Sequence, residues 1–170
     1  YEHVVVNKTL ILQGVDSGSG LPVVDGSGTG SVITLSANGC TLQGFVARNS
    51  SIYHSGIRVN SIGNAISGNT ATGSYLGIYL ASSSSNTISG NTANGNTYYG
   101  IHLYSSGGNT ISGNTANGNT YYGIWLGESS SNTISGNTAN GNGNGHGIWL
   151  GASSSNTLSD NTATGNDYGI

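Results

Sequence analysis

One motif returns along this chain at intervals of about 23 residues, and this repeat is the strongest constraint on the fold. The letters NTISGNTANGN occupy residues 86–96, 109–119 and 132–142, and looser copies begin at Asn64 and Asn156. A second motif, Gly-Ile-x-Leu or Gly-Ile-x-Val, occupies residues 56–59, 77–80, 100–103, 123–126 and 147–150. Because the two motifs keep one phase, the sequence predicts a solenoid in which each repeat forms one turn and stacks on the next.

Alternation within the motifs predicts short β-strands. Ile124 and Leu126 are two residues apart and share a face that we expect to be buried, while Trp125 points outward. Gly, Asn and Ser between the strands favour tight corners because they tolerate positive φ. The sequence therefore predicts an all-β fold, a right-handed single-stranded parallel β-helix of about seven rungs of 22–24 residues.

We expect residues 1–170 to form one domain that is part of a longer repeat protein. The chain begins at Tyr1 without a methionine or a signal peptide, which favours a processed product or a fragment. Residues 1–41 are predicted to form less regular opening rungs with a loop near 14–31, and residues 42–170 to form the regular repeats.

Asparagine recurs in two columns of the aligned repeats, and we expect both columns to form ladders of side-chain hydrogen bonds between corners. The columns are Asn64, Asn86, Asn109, Asn132 and Asn156, and Asn69, Asn91, Asn114, Asn137 and Asn161. A role of these amides in ligand binding is the alternative. Cys40 occupies the position of the Asn64 column one repeat earlier, and Phe45 occupies that of the Asn69 column. Both are predicted to fill the interior or a corner.

The repeats quoted above resemble those of the NosD-like family, also called the carbohydrate-binding and sugar-hydrolase (CASH) domain. The opening letters EHVVVNKTLILQG at 2–14, followed by PVVDG at 22–26, are similar to the first rungs of its archaeal surface-protein members. The resemblance implies a right-handed parallel β-helix and an extracellular or cell-surface location. It does not assign chemistry, because one fold serves many functions.

Charged residues are scarce, with three Lys and Arg against six Asp and Glu. So few basic residues argue against nucleic-acid binding, and no apolar run is long enough for membrane insertion. The acidic residues are Glu2, Asp16, Asp25, Glu128, Asp160 and Asp167. No two share a column, whereas cleavage of a glycosidic bond needs a carboxylate pair. We therefore predict no catalytic residues and expect that the chain is not an enzyme, with a polysaccharide-degrading enzyme as a remote alternative.

Metal ligands do not converge in the repeat. Copper prefers His, Cys and Met donors, but Met is absent and the histidines occupy different rung positions. These histidines are His3, His54, His102 and His146. The sequence predicts no metal and no cofactor, and a copper-related periplasmic role is a remote alternative.

An outward column of aromatic residues is the candidate contact surface. Its members are Tyr79, His102, Trp125 and Trp149, and the bordering tyrosines include Tyr98 and Tyr121. Contiguous exposed aromatics mark contact surfaces. Stacking of the rings on one another, contact with a protein, and stacking under a glycan are the three interpretations. A second outward array, of Thr and Asn, resembles the faces of ice-binding solenoids and is a remote alternative.

The sequence favours a non-catalytic structural module at the cell surface or outside the cell, such as a spacer, coat or fibre subunit. Its expected partners are further copies of itself, joined end to end or laterally, or other surface proteins. The alternative is a glycan-binding or adhesion module that uses the aromatic column.

Overall fold

The computed structural model describes residues 2–170 and contains 17 β-strands that pair in parallel in three sheets. The first sheet consists of β1 (Val4–Val6), β4 (Ile33–Leu35), β7 (Ser55–Val59), β10 (Leu76–Ala81), β12 (Tyr99–Tyr104), β14 (Tyr122–Gly127) and β16 (Ile148–Gly151). The second consists of β2 (Ile11–Gln13), β5 (Thr41–Gln43), β8 (Ala65–Ser67), β11 (Thr87–Ser89), β13 (Thr110–Ser112), β15 (Thr133–Ser135) and β17 (Thr157–Ser159). The third consists of β3 (Val23–Asp25), β6 (Val46–Arg48) and β9 (Thr70–Thr72).

Each turn of chain contributes one strand to each of the two larger sheets, and six turns separate the first of the seven strands in each sheet from the last. Parallel bridges from Thr70 through Thr92, Thr115, Thr138 and Thr162 continue the third sheet. This architecture confirms the predicted parallel β-helix. Nowhere in residues 2–170 is there a helix with the length and apolar character needed to cross a membrane.

The core is a set of stacked apolar columns. Ile78 pairs in register with Ile101, which pairs with Ile124, and all three side chains are fully buried. Burial of each such side chain contributes roughly 1.5–3 kcal/mol, which does not offset the ordering of a whole turn. Several turns are stable together because each covers the apolar residues and strand edges of its neighbours.

Asparagine ladders run through the interior beside these columns, and Asn114 shows the arrangement. Its Oδ1 accepts hydrogen bonds from the backbone N–H and the Nδ2 of Asn91, at 2.9 and 3.0 Å. Its own Nδ2 donates to the carbonyl oxygen of Ile88 at 2.8 Å and to Oδ1 of Asn137 at 3.0 Å. At each corner the side-chain oxygen thus accepts the hydrogen bond from the asparagine N–H of the preceding turn, where strand pairing would use a backbone carbonyl.

A third ladder of the same kind was missed by the sequence analysis. It consists of Asn96, Asn119, Asn142 and Asn166, joined by hydrogen bonds of 2.8–3.2 Å. The signal was present, because the last Asn of the NTISGNTANGN motif also keeps the repeat phase.

The glycine that opens each Gly-Ile motif lies at a bend where its missing side chain would face the interior. A Cβ on Gly100 would lie 2.6 Å from the carbonyl oxygen of Gly123 and 2.7 Å from Nδ2 of Asn119. Because the glycine and the following isoleucine both face inward, strand alternation is broken at this point. The residue before the glycine, such as Tyr99, therefore faces outward.

Replacement of Asn114 by Ala tests the contribution of the ladders. The change leaves the N–H of Asn91 and the carbonyl of Ile88 without their partners in the interior. We expect a loss of at least about 2 kcal/mol in the free energy of unfolding, because each buried unpaired group costs about 1–3 kcal/mol. Urea denaturation measures it. Asn144→Ala is the matched control, since this exposed side chain forms no hydrogen bond and should change stability little. Equal effects of the two variants would contradict the structural role of the ladder.

Candidate functional site

Tyr79, His102, Trp125 and Trp149 form one stacked column on the outer face of the first sheet, because the strands pair in register at these positions. Their successive ring centroids are 4.7, 4.2 and 5.6 Å apart, with interplanar angles of 19°, 14° and 10°. The prediction that the whole column is exposed is wrong at His102, which is only 8% exposed. The rings of Tyr79 and Trp125 cover its two faces, and Tyr99 packs against it edge to face.

A second aromatic column lies on the corner that precedes the first sheet. It consists of Tyr53, Tyr75, Tyr98 and Tyr121, with successive centroids 5.2, 4.9 and 4.5 Å apart. The sequence analysis identified Tyr98 and Tyr121 but missed Tyr53 and Tyr75. Tyr75 was detectable, since it lies one repeat before Tyr98, whereas Tyr53 lies in an irregular loop and has no such signal.

Between the two columns lies an open groove of 370 Å³. Its lining consists of Tyr53, Tyr75, Leu76, Tyr79, Tyr98, Tyr99, His102 and Trp125. The positions between the columns are Leu76, then Tyr99 one turn later and Tyr122 two turns later, and the rings of these two tyrosines stack at 5.1 Å. Leu76 lines the groove, and its side chain is smaller than the tyrosines that occupy the same position in the next two turns.

The loop that carries Tyr53 is fixed by a polar cluster at the end of β3. Asn49 has a positive φ of 60°, and its Nδ2 donates to both carboxylate oxygens of Asp25 at 3.0 Å. Nε of Arg48 donates to the same carboxylate at 2.8 Å. Hydrogen bonds from Asn49 and from the N–H of Ser27 lower the pKa of Asp25 to about 2, with a smaller effect of Arg48. The carboxyl group of Asp25 is therefore ionised at neutral pH, and its hydrogen bonds hold the start of the loop.

The titratable groups at the base of the groove are neutral near pH 7. Burial lowers the pKa of His102 to about 3, so its imidazole is uncharged. Both of its ring nitrogens are buried without a hydrogen-bond partner. Burial also raises the pKa values of Tyr75 and Tyr99, which stay protonated. The walls thus combine apolar ring faces with phenol hydroxyls, and no lining residue carries a carboxylate.

The acidic side chains with contacts are engaged away from this groove. Asp16 accepts hydrogen bonds from the N–H groups of Gly18 and Gly20 in its own loop. Glu128 accepts from the hydroxyls of Tyr104 and Ser105 at 3.2 and 3.3 Å. Asp160 occupies a corner position with a φ of 56°, where the other repeats have glycine. The structure does not bring any of these carboxylates together.

Residues 15–170 match the family model described as periplasmic copper-binding protein (NosD). A search of curated proteins found no match. Among solved structures, a point mutant of the periplasmic alginate epimerase AlgG has a TM-score of 0.78 and 25% identity, over 86% of this chain and 36% of that chain. Unmutated AlgG gives 0.75 and 21%, over 98% and 49%. The A-module of the mannuronan C-5 epimerase AlgE4 of Azotobacter vinelandii gives 0.62 and 16%, over 96% and 62%.

This chain spans less than two thirds of the length of each of these structures, which share its fold. They also overturn the prediction that the chain is not an enzyme, since its structural neighbours are epimerases. The prediction rested on the absence of suitably placed carboxylates, whereas Tyr and His also serve as general acids and bases. The NosD family and the alginate epimerase AlgG are both described as periplasmic, which points to an extracytoplasmic location.

The family description raises copper binding, and the donor residues do not fit it. In the described part of the chain, no three His, Cys, Asp or Glu side chains lie close enough to hold a metal ion. Both ring nitrogens of His3 are hydrogen-bonded, to the carbonyl of Ser31 and the hydroxyl of Thr29. Cys40 is buried, and its Sγ lies 3.3 Å from the carbonyl oxygen of Ala37. Copper coordination by side chains from this set would require rearrangement of the fold.

His102→Phe tests the buried neutral imidazole. Unfolded His102 gains a proton near pH 6.5, but the folded side chain gains it only near pH 3. Protons therefore favour the unfolded state in this interval, and stability should fall by up to about 1.4 kcal/mol per pH unit as the pH decreases. We expect His102→Phe, which keeps the ring stack, to remove this part of the acid dependence.

Urea unfolding of both proteins from pH 7 to pH 3 measures the effect. His54→Phe is the control, because His54 is exposed, and it should keep the acid dependence of the original chain. An unchanged pH profile in His102→Phe would show that His102 is accessible to protons in the folded state.

Proposed function

The chain belongs to the NosD family of parallel β-helix proteins, and we propose that it is an extracytoplasmic module that binds a polysaccharide chain in the groove between its two aromatic columns. The observation that carries this proposal is the pair of tyrosine-rich walls. Tyr75 and Tyr98 stack at 4.9 Å on one side, and Tyr79 stacks on His102 at 4.7 Å on the other. We further propose that this module lies at the cell surface.

The shape and chemistry of the groove suit sugar rings. Ligand sites combine apolar and aromatic walls with a few polar groups, and tyrosine supplies both an apolar face and a hydroxyl. Because the columns follow the stacking direction, the groove runs along the solenoid axis, with successive aromatic rings about one strand spacing of 4.7–4.9 Å apart. A linear chain of sugar rings matches this geometry better than a compact ligand does.

The comparisons support the same class of ligand. The epimerases that share the fold are named for alginate and mannuronan, which are polysaccharides. From this comparison we propose for this chain only that it binds a polysaccharide, and we place the binding on the outer face of the helix. Assembly with further copies or with other surface proteins stays a prediction from the sequence.

Leu76→Tyr tests the groove without removing any wall. A tyrosine at this position continues the stack of Tyr99 and Tyr122, so we expect the variant to fold. The new ring occupies space at a residue that lines the groove and should weaken polysaccharide binding at least about tenfold, which corresponds to about 1.4 kcal/mol. Affinity electrophoresis against a panel of soluble polysaccharides identifies a ligand, and calorimetry measures the affinity.

Tyr168→Ala is the control, because Tyr168 is an exposed aromatic residue outside the groove lining. It should retain the affinity of the original chain. If a folded Leu76→Tyr variant binds as tightly as the original chain, the polysaccharide does not bind in the groove and the proposal is wrong.

A further inference from the structure

We infer that the groove selects acidic polysaccharides and that Arg58 is the residue that binds their carboxylate groups, an inference that rests on the proposed function. Arg58 lies in the column of Tyr79, one turn before it, because the two residues are register partners in β7 and β10. Its guanidinium carbon lies 5.1 Å from the centroid of the Tyr79 ring. The cation is thus stacked on a residue that forms one wall of the groove.

The guanidinium group is held in place with part of its binding capacity unused. Nε of Arg58 donates to Oδ1 of Asn60 at 2.8 Å, and the ring of Tyr79 supports one face of the group. The two terminal amino groups have no protein acceptor within residues 2–170. A planar guanidinium fixed in this way can bind a carboxylate through two parallel hydrogen bonds.

The charges around Arg58 leave it available for a ligand. Within residues 2–170 one ion pair is formed, between Arg48 and Asp25. Arg58 has no carboxylate within ion-pair distance. The groove lining also lacks acidic side chains, so no protein carboxylate competes there. Lys8, which is exposed on the corner after β1, is a cation outside the groove. In a chain with a net charge of −3, Arg58 therefore provides local positive charge beside the groove.

Arg58→Gln removes this charge, and Lys8→Gln is the matched control that removes one positive charge elsewhere. The probes are an oligogalacturonate and the same oligosaccharide with its carboxyl groups chemically reduced to alcohols. We expect the original chain and Lys8→Gln to bind the acidic probe about tenfold more tightly than the reduced one at low salt. Arg58→Gln should bind both probes with equal affinity.

Arg58→Lys gives a second readout, since it keeps the charge but not the planar pair of donors, and its preference should be intermediate. Thermal unfolding confirms that each variant is folded. The inference is overturned if the original chain does not distinguish the two probes, or if Arg58→Gln keeps the preference.

The two proposals fail in different ways. If the original chain binds both probes equally and Leu76→Tyr loses this binding, the groove is supported and only the role of Arg58 is overturned. If neither probe binds the original chain, both the inference and the proposed function are wrong for this class of ligand.

Discussion

In-register stacking of successive turns is the constraint on which the rest of this structure depends. Each turn pairs with the next at the strand spacing of 4.7–4.9 Å, so a residue type that recurs at the repeat interval becomes a continuous column. Inward columns of Ile and Leu form the core, and Asn columns satisfy the backbone at corners. The aromatic columns are outward examples of the same rule, since Tyr75 and Tyr98 stack because their backbones are one turn apart.

The groove arises where the repetition is interrupted. Tyrosine at the position of Leu76 would extend the stack of Tyr99 and Tyr122 and fill the space between the two columns. Arg58 lies at the end of the aromatic column, one turn before Tyr79 begins the stack. The irregular loop with Tyr53, which is 71% exposed, forms one end of the groove. The repeating residues thus supply the stability and the aromatic walls, and the residues that break the repeat supply the space between the walls and the local charge.

The sequence predicted the parts of the fold that follow from periodicity and missed those that depend on local bends. The inward positions of Ile124 and Leu126 follow from alternation, and the structure shows both fully buried. Alternation does not predict that Tyr99 faces outward, because a bend at Gly100 adds an extra inward position. The burial of His102 depends on the packing of side chains from three turns, and aligned repeat sequences do not show this packing. The exclusion of enzymatic function failed for another reason, because it rested on the absence of suitably placed carboxylates and the fold also occurs in epimerases.

Family membership and chemistry separate in this protein because they depend on different columns. The family model matches 15–170, a range that includes the inward residues and corner residues that any stacked helix of this kind needs. Copper coordination and sugar binding would instead depend on outward side chains, which the stacking leaves free to vary. In this chain the outward column of the first sheet contains Arg58 and the stacked rings of Tyr79, His102, Trp125 and Trp149, and in residues 2–170 the histidines do not converge with other metal donors. The proposal of a polysaccharide ligand therefore depends on the outward columns and not on the repeats that place the chain in its family.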